Sequence, residues 1–286
     1  MNLKDFIVSS HQKINLKNNS TDFREYFGNK EEVKEKLSEN IELLSKLQDL
    51  FYANDTYSLL MIFQGMDTAG KDGVIRHVMS GINPQGVQVF SFKEPSSEEL
   101  DHDYLWRSVK ALPERGRIGI FNRSYYEEVL ITRVRPEVLA KQKLPGKPPK
   151  KIWKHRYEDI NHWEQYLTRN GVIILKFFLN ISKKEQKKRL LERIDNSDKN
   201  WKFSAFDLEN RKYWNQYMHA YQDMLNHTSS DWAPWHIIPS DHKWFARILV
   251  ANIIIAKLKS LNLSYPQIDE EQKRILEKYR QLLKKE

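Results

Sequence analysis

The amino-acid sequence predicts an α/β protein in which a parallel sheet carries helices on both faces. Five short apolar runs alternate with longer segments of helical periodicity, an order typical of parallel strands joined by helical crossovers. The first run, from Tyr57 to Phe63, is apolar at nearly every position, as expected of a strand buried on both faces. A loop containing glycine and lysine follows this run directly and leads into a helix. We therefore expect the ligand site at the carboxyl ends of the strands.

The loop QGMDTAGKD, which ends at Asp72, predicts a binding site for phosphate. Gly65 and Gly70 allow backbone N–H groups to turn toward an anion, while Lys71 and the dipole of the following helix add positive charge. The spacing satisfies the Walker A pattern except that Asp72 stands where Ser or Thr is usual. That hydroxyl normally binds the magnesium of an NTP, so the carboxylates of Asp67 and Asp72 indicate a differently organised metal and phosphate site. The alternative is an ordinary turn between a strand and a helix.

The remaining elements are predicted from apolar periodicity and from helix caps. Further strands are expected at 87–92, 117–121, 172–179 and 234–239. Helices are expected to begin after Asn29, Ser96, Lys151, Ser182, Asp207, Asp241 and Asp269. The residues before Asn29 predict an arm that wraps either a neighbouring subunit or the domain itself.

The third strand runs into a polar cluster that begins with Asn122 and Arg123. Because ligands bind at the carboxyl ends of strands in open α/β sheets, we expect Arg123 to face the phosphates. A surface ion pair at the start of a helix is the alternative.

Two other groups of cations could face a polyanion. The helix after Ser182 predicts a lid that closes over phosphate and excludes water, although an exposed basic helix is the alternative. Its cations are Lys187, Lys188, Arg189 and Arg193. The run 141–156 carries seven cations with almost no acids before Glu158, and it fits a polyanion track and a solvated loop equally well.

Composition narrows the class of protein. The 286 residues are 40% hydrophobic and 30% charged, which predicts a folded globular chain. The formal net charge of +9 favours nucleic acid, anionic lipid or phosphate compounds as partners. The chain has no cysteine, which excludes disulfides, thiolate catalysis and cysteine metal sites and is consistent with a reducing cytoplasm. We find no export signal, and the most apolar window, 248–258, is too short to span a bilayer.

Three motifs, GMDTAGKD, FNRSYYEEVL and SKKEQKKRLLERIDNSDKNWKFSAFDLENR, resemble those of the polyphosphate kinase 2 family in this order, and the resemblance extends from Phe27 to Leu258. It implies a P-loop kinase fold like that of thymidylate kinase. It also implies phosphoryl transfer between inorganic polyphosphate and nucleotides, with Mg²⁺ or Mn²⁺ and without nucleic acid as a partner. The expected organisation is one kinase domain with an arm at 1–28, a lid at about 182–212 and a helical tail at about 263–286. The resemblance further implies a homo-oligomer, a tetramer built from dimers.

The resemblance also implies roles for individual residues. Asp67, Lys71 and Arg123 are the expected catalytic residues, with the metal at Asp67. The expected phosphate contacts are Gly65, Ala69, Gly70, Lys71, Asp72, Arg189, Arg193, Lys202 and Arg211. Asn122, Tyr126 and Glu127 are expected to contact the nucleotide. Many members have Asp where this chain has Asn122, which shifts the metal-binding role toward Asp67.

The pattern FNRSxYE resembles the subgroup that phosphorylates both AMP and ADP. Two other functions remain open at this point. An NTP-dependent nucleoside or nucleotide kinase has the same fold but is expected to carry Ser or Thr at position 72. A non-catalytic polyanion-binding protein explains the net charge but not the carboxylates of Asp67 and Asp72 in an anion-binding loop.

Overall fold

In the computed structural model, which describes residues 1–10, 13–23 and 29–286, five strands form one parallel sheet. The strands are β1 (Ser58–Gln64), β2 (Val87–Ser91), β3 (Ile118–Asn122), β4 (Val172–Asn180) and β5 (Trp235–Pro239). Their spatial order is β2-β3-β1-β4-β5, and every neighbouring pair is parallel. All residues of the central strand β1 are buried. The predicted strands are confirmed, each within one residue at either end.

Helices flank the sheet in two packed groups. The helices are α1 (Lys30–Asn54), α2 (Lys71–Val78), α3 (Ser97–Leu100), α4 (Trp106–Val109), α5 (Ile131–Val134), α6 (Pro136–Ala140), α7 (Ile152–Arg169), α8 (Lys183–Asp195), α9 (Ser197–Asn200), α10 (Ala205–Lys212), α11 (Trp214–Thr228), α12 (Lys243–Ser260) and α13 (Glu270–Leu283). Helix α12 packs against α1 and α2, whereas α11 packs against α5 and α7. None of the described helices is long and apolar enough to cross a bilayer.

Some of the predicted helix caps form as expected. The side chain of Asn29 accepts a hydrogen bond from the N–H of Glu32 at 2.8 Å and starts α1. Ser182 caps α8 by accepting from the N–H of Glu185 at 3.0 Å. The second hydrogen bond of a capping box, from the N–H of Ser182 to the carboxylate of Glu185, is not formed. That carboxylate instead accepts from Nε of Arg189.

Two predicted helices are each divided in the structure. The helix that begins after Ser96 has its capping box but ends at Leu100, and α4 follows only from Trp106. The carboxylate of Asp103 accepts from the N–H of Leu105 at 2.9 Å, a local bond that competes with the helix. The helix predicted from Asp207 to Asn226 is interrupted at Tyr213, which separates α10 from α11.

The prediction that Asp241 caps the following helix is wrong. No side chain caps α12, and the carboxylate of Asp241 accepts from the N–H of Ser182 at 2.8 Å and from the hydroxyl of Thr21 at 2.9 Å. Both partners are distant in sequence, so the local pattern did not reveal them.

The described part of the N-terminal arm wraps its own domain. Ile7 pairs with His236 of β5, and the N–H of Val8 donates to the carbonyl of Trp235 at 2.8 Å. Phe6 is buried and packs against Phe245. The arm thereby covers the outer edge of the sheet. The predicted end of the arm, at residues 24–28, lies outside the described residues.

Candidate active site

The loop between β1 and α2 depends on its two glycines. Gly65 has φ +150° and Gly70 has φ +108°, conformations that L side chains rarely adopt. A Cβ at position 65 would lie 2.8 Å from the carbonyl oxygen of Leu179, so a larger residue does not fit there without a shift of the backbone. The first N–H groups of α2 have no intrahelical partner and point toward the loop end of the helix.

Lys71 lies folded against its own loop. Its Nζ donates to the carbonyl oxygens of Gly65 at 2.6 Å and Met66 at 3.3 Å, and the side chain is almost completely buried. Burial and the nearby charge of Arg123 lower the pKa of Lys71 to about 8. The group is therefore still mostly charged at neutral pH, but it titrates far closer to neutrality than an exposed lysine.

Arg123 and Asp67 form an ion pair at the end of β3. Arg123 follows β3 in a left-handed conformation with φ +62°, and its guanidinium lies 2.5 Å from Oδ1 of Asp67. Nδ2 of Asn210 donates to Oδ2 of Asp67 at 3.1 Å. Burial acts to raise the pKa of Asp67, but Arg123 and Lys71 outweigh it and hold that pKa below its usual value. Asp67 is thus ionised and oriented through both of its oxygens.

Asn122 joins the loop helix to two neighbouring strands. Its Nδ2 donates to Oδ1 of Asp72 at 2.5 Å and to the hydroxyl of Ser91 at 3.3 Å. Ser91 ends β2 and Asn122 ends β3, so the carboxyl ends of both strands meet the loop, as the sequence predicts. An aspartate at position 122 would place two carboxylates within this distance. The amide of Asn122 avoids the repulsion between those two carboxylates, which a cation or a proton would otherwise have to offset.

Arg189, predicted to bind phosphate, lies against the carbonyl side of the loop in the structure. All five of its N–H groups are used, and the side chain is almost completely buried. Their acceptors are the carboxylate of Glu185 and the carbonyls of Thr68, Ala69, Ser240 and Asp241, at 2.6 to 3.0 Å. From the sequence, Arg189 is one cation of a basic helix. The sequence does not tell that the face of α8 that carries Arg189 lies against the carbonyl side of the loop. In this conformation Arg189 has no donor left for a phosphate.

Gln186 and Asn210 are site residues that sequence reasoning missed. Gln186 is fully buried, and its Nε2 donates to the carbonyl of Asp67 at 3.0 Å. Three consecutive loop carbonyls, at positions 67 to 69, therefore accept hydrogen bonds from α8. Gln186 lies one helical turn before Arg189 and therefore on the same face of α8. This spacing is the sequence signal that could have identified Gln186 as a site residue.

Arg193 and Arg211, two other cations of the predicted lid, also have partners within the lid. Arg193 donates to the carboxylate of Asp207 at 2.8 Å and to the carbonyl of Lys202 at 3.3 Å. Arg211 donates to Oε1 of Gln186 at 2.6 Å, while the side chain of Lys202 is exposed. The structure thus divides the predicted lid into a base attached to the loop and a more exposed outer part.

The structure places two of the residues predicted to contact the nucleotide, Tyr126 and Glu127, in different surroundings. Tyr126 is fully buried, and its hydroxyl donates to Glu164 at 2.7 Å and accepts from Lys176 at 2.9 Å, so it belongs to the core and not to the open side of the site. The short 3₁₀ turn after β3 directs this side chain inward. Glu127, on the same turn, is half-buried, and its charge helps to hold the pKa of Arg123 above its usual value against the effect of burial.

The basic run 141–156 is partly neutralised by acids from elsewhere in the chain. Lys141 pairs with Glu94 at 2.6 Å, and Lys143 pairs with Asp101. The last cation of the run, Arg156, is buried. These contacts favour the solvated-face interpretation for those residues, and the sequence concealed them because the acids lie more than forty positions away.

The site offers oxygen ligands but no complete metal cage. Among the described residues, no group of three or more His, Cys, Asp or Glu side chains could hold a metal ion. The carboxylates of Asp67 and Asp72 and the amide of Asn122 lie around the loop. Mg²⁺ commonly takes one or two carboxylates and completes its coordination with substrate phosphates and water. The donors present therefore fit a metal that binds together with a phosphate compound.

Comparison with known proteins gives matches over nearly the whole chain. A family model described as polyphosphate kinase 2 (PPK2) matches residues 27–266. An ADP-polyphosphate phosphotransferase of Rhodopseudomonas palustris is 51% identical over 284 residues, which cover 98% of this chain and 98% of that protein. An AMP/ADP-polyphosphate phosphotransferase of Meiothermus ruber is 41% identical over 275 residues, 96% of this chain and 99% of that protein. The crystal structure of polyphosphate kinase 2 from Arthrobacter aurescens superposes with a TM-score of 0.86 at 39% identity and covers 96% of this chain and 95% of that one.

Proposed function

The chain belongs to the polyphosphate kinase 2 family, and on that premise we propose that it transfers phosphoryl groups from inorganic polyphosphate to AMP and ADP, reversibly. The observation that carries this proposal is the meeting of Asp67, Lys71 and Arg123 around a phosphate loop, with the carboxylate of Asp72 where an NTP kinase needs a hydroxyl. The two similar phosphotransferases are named for different acceptors, ADP alone and both AMP and ADP. The dual acceptor range is our proposal for this chain, with guanine nucleotides as a second acceptor class.

We propose that the reaction is a direct displacement. A phosphate oxygen of the nucleotide attacks the terminal phosphorus of polyphosphate, the P–O bond to the next phosphate breaks, and the chain leaves one unit shorter. The attacking oxygen is already anionic, so no strong general base is needed, and positioning with electrostatic stabilisation supplies most of the rate. No covalent enzyme intermediate is required. One phosphoanhydride bond replaces another, which makes the reaction readily reversible.

The side chains have distinct tasks in this proposal. The N–H groups at the start of α2 and the ammonium of Lys71 bind the phosphate, and the guanidinium of Arg123 offsets charge on the transferred group. Asp67 orients Arg123 through the ion pair between them. Arg189 and Gln186 hold the loop carbonyls away from the phosphate side. Lys202, Arg193 and Arg211 are the candidates for contacts with the rest of the polyphosphate chain.

We propose Mg²⁺ or Mn²⁺ as the metal, held by Asp67 with Asp72 close by, where it would neutralise charge on the phosphate groups. We also propose that the chain is one kinase domain with an arm, a lid and a helical tail, and that it assembles into a tetramer of two dimers. A cytoplasmic location remains a prediction.

The experiment that tests this function supplies magnesium and long-chain polyphosphate with either AMP or ADP and resolves AMP, ADP and ATP over time. Formation of ATP from ADP, and of ADP and then ATP from AMP, is the expected result. Turnover with only one of the two acceptors would support the family activity and contradict the proposal that both AMP and ADP are accepted. No turnover with either acceptor, together with nucleotide phosphorylation from ATP alone, would replace the proposal with an NTP-dependent kinase.

Replacement of Lys71 by Ala provides the matched variant for this assay. We expect turnover to be lost while far-UV circular dichroism stays unchanged, because the hydrogen bonds of the lysine go to carbonyls of its own loop. Activity close to that of the unmodified chain would contradict the assignment of the loop as the phosphate site.

A further inference from the structure

The lid helix α10 reaches the phosphate loop through Asn210, a residue that is 3% exposed. Its Nδ2 donates to Oδ2 of Asp67 at 3.1 Å, and its Oδ1 accepts from the hydroxyl of Tyr217 at 3.2 Å. The other oxygen of Asp67, Oδ1, accepts from Arg123 at 2.5 Å. The four side chains thus form one continuous chain of hydrogen bonds. It runs from α11 to the guanidinium that is proposed to offset charge on the transferred group.

The direction of this chain follows from the charge of Asp67. An ionised carboxylate only accepts hydrogen bonds, so the amide of Asn210 must present its NH₂ group to it. The amide oxygen then faces Tyr217, whose hydroxyl has to donate. Burial, together with the charges of Glu127 and Asp67, raises the pKa of Tyr217, so this hydroxyl keeps its proton. Tyr217 therefore fixes which way round the amide lies.

The hydrogen bond from Asn210 decides the orientation of the Asp67 carboxylate. The last torsion angle of an aspartate is broad, so a partner at Oδ1 alone leaves the plane of the carboxylate free to turn. Asn210 holds Oδ2 and removes that freedom. Asp67 is 8% exposed, so the loss of this donor would leave Oδ2 poorly paired inside the protein. The carboxylate would then turn toward another donor, and its ion pair with Arg123 would shift with it.

Asn210 orients Asp67 without neutralising it. Lys71 and Arg123 already place two positive charges near this carboxylate. A lysine or an arginine at position 210 could also donate to Oδ2 but would add a third positive charge. An amide leaves the charge of Asp67 available to the metal proposed above, which prefers ionised oxygen ligands.

Other contacts attach α10 to the base of the lid. Arg193 of α8 donates to the carboxylate of Asp207 at 2.8 Å, and Arg211 donates to the carbonyl of Lys183 at 2.9 Å. These contacts do not involve the amide of Asn210 and remain when that amide is removed. The contact between Asn210 and Asp67 therefore adds orientation at the site more than attachment of the lid.

We propose that Asn210 is a positioning residue for phosphoryl transfer, because it holds Asp67 and, through Asp67, the guanidinium of Arg123. Tyr217 supports the same task by fixing the amide. This inference rests on the function proposed above and extends the site to two residues of the helices α10 and α11. Since Arg123 acts on the transferred group, loss of Asn210 lowers kcat more than it changes KM.

The test compares kcat and KM for polyphosphate in three variants. Leucine has the branched skeleton of asparagine but no donor, and we expect Asn210→Leu to lower kcat about tenfold or more while KM changes less than about twofold. Tyr217→Phe removes only the hydroxyl that fixes the amide and should lower kcat about threefold. The double variant should have the kcat of Asn210→Leu, because Tyr217 acts through Asn210. Glu209→Gln, at an exposed position of α10, is the control that should keep the kcat of the unmodified chain.

The outcomes separate this inference from the function on which it rests. No turnover in the unmodified chain would contradict the function. Turnover in the unmodified chain with an unchanged kcat in Asn210→Leu would overturn only the role of Asn210, as would a rise in KM alone. If Asn210→Leu does not fold, Tyr217→Phe decides, and a kcat equal to that of the unmodified chain would overturn the proposal.

A crystal structure of the Asn210→Leu chain provides a measurement that needs no turnover. We expect the carboxylate of Asp67 to turn out of its present plane and the guanidinium of Arg123 to move with it. Unchanged positions of both side chains would overturn the proposal even if the activity fell. The structure of Tyr217→Phe should show a smaller change of the same kind.

Discussion

Lys71 is buried in the loop, yet it binds phosphate best in its charged form. Burial and the charge of Arg123 lower its pKa to about 8, although Asp67, Glu127 and Asp72 oppose this shift. In the free enzyme the charged fraction of Lys71 therefore falls as the pH rises through about 8. Bound phosphate favours the charged form and moves this titration to higher pH.

The pH dependence of turnover should show this titration. We expect kcat/KM for polyphosphate to fall about tenfold per pH unit above pH 8, whereas kcat at saturating polyphosphate should decline only at higher pH. A terminal phosphate titrates near pH 6, so the alkaline limb belongs to the enzyme. Steady-state rates between pH 6 and 10 at constant ionic strength provide the measurement. A kcat/KM that stays level to about pH 9.5 would show that Lys71 does not titrate in this way.

Helix α8 acts as a support for the loop through Arg189. Lysine offers three donors from one point and cannot reproduce the fork of five N–H groups. In an Arg189→Lys chain, several of the carbonyls of Thr68, Ala69, Ser240 and Asp241 lose their partner inside the protein. We expect a loss of about 3 kcal/mol in the free energy of unfolding, from buried acceptors left unpaired. Because the loop loosens, kcat should fall while KM for polyphosphate changes little. Urea unfolding and steady-state kinetics measure the two effects.

Arg193 on the same helix provides the control for this prediction. Its side chain is 23% exposed, and a lysine can still pair with Asp207. Arg193→Lys should therefore cost less in the free energy of unfolding than Arg189→Lys, because the ion pair is kept and only the contact with the carbonyl of Lys202 is lost. If Arg189→Lys unfolds like the unmodified chain and only KM rises, Arg189 contacts phosphate and does not support the loop.

The elements that the sequence predicts well are those whose signals are local. A continuous apolar run such as that of β1 marks a buried strand, and glycines at 65 and 70 mark a loop with unusual backbone angles. The cap at Asp241 was wrongly predicted because its partners come from other elements, and the contacts of Arg189 with the loop could not be predicted for the same reason. The burial of Tyr126 could not be predicted either, because a cluster of polar residues does not tell which side chains turn inward.

The topology of the whole molecule, more than any local motif, assembles the candidate site. β1 lies between β3 and β4, so the loop after β1 has the end of β3 on one side and the turn into α8 on the other. Asp67 consequently meets Arg123 and Asn210, which lie 56 and 143 positions away in the sequence. The sequence predicts the ligand edge of the sheet from the alternation of strands and helices, but the individual contacts follow only from the packing of the helices.

The core beneath this edge contains a buried ion pair whose hydrogen bonds join four elements, namely β4, α7, α11 and the 3₁₀ turn after β3. Lys176 of β4 and Glu164 of α7 are fully buried, with Nζ and Oε2 2.6 Å apart. The ammonium also donates to the hydroxyl of Tyr126 and to the carbonyl of Thr228. Oε1 of Glu164 accepts from the hydroxyls of Tyr125 and Tyr126, both at 2.7 Å. Each polar atom of the pair has a partner, which is the condition under which such a pair can be buried.

Neutralising Glu164 should expose the cost of burying Lys176. We expect Glu164→Gln to lose about 3 kcal/mol or more in the free energy of unfolding at pH 7, because it leaves an uncompensated buried charge, and an added Lys176→Met should recover part of the loss. Burial lowers the pKa of Lys176 and the charge of Glu164 opposes this shift, so in Glu164→Gln the pKa should fall further and the folded variant should bind fewer protons than the folded unmodified chain as the pH rises. The loss should therefore shrink as the pH rises toward about 10.

Glu42→Gln, in the exposed pair with Lys46, is the matched control and should leave the free energy of unfolding almost unchanged. Urea unfolding at several pH values measures all three variants, and a loss in Glu164→Gln no larger than that in the control would show that the buried pair does not hold these elements together.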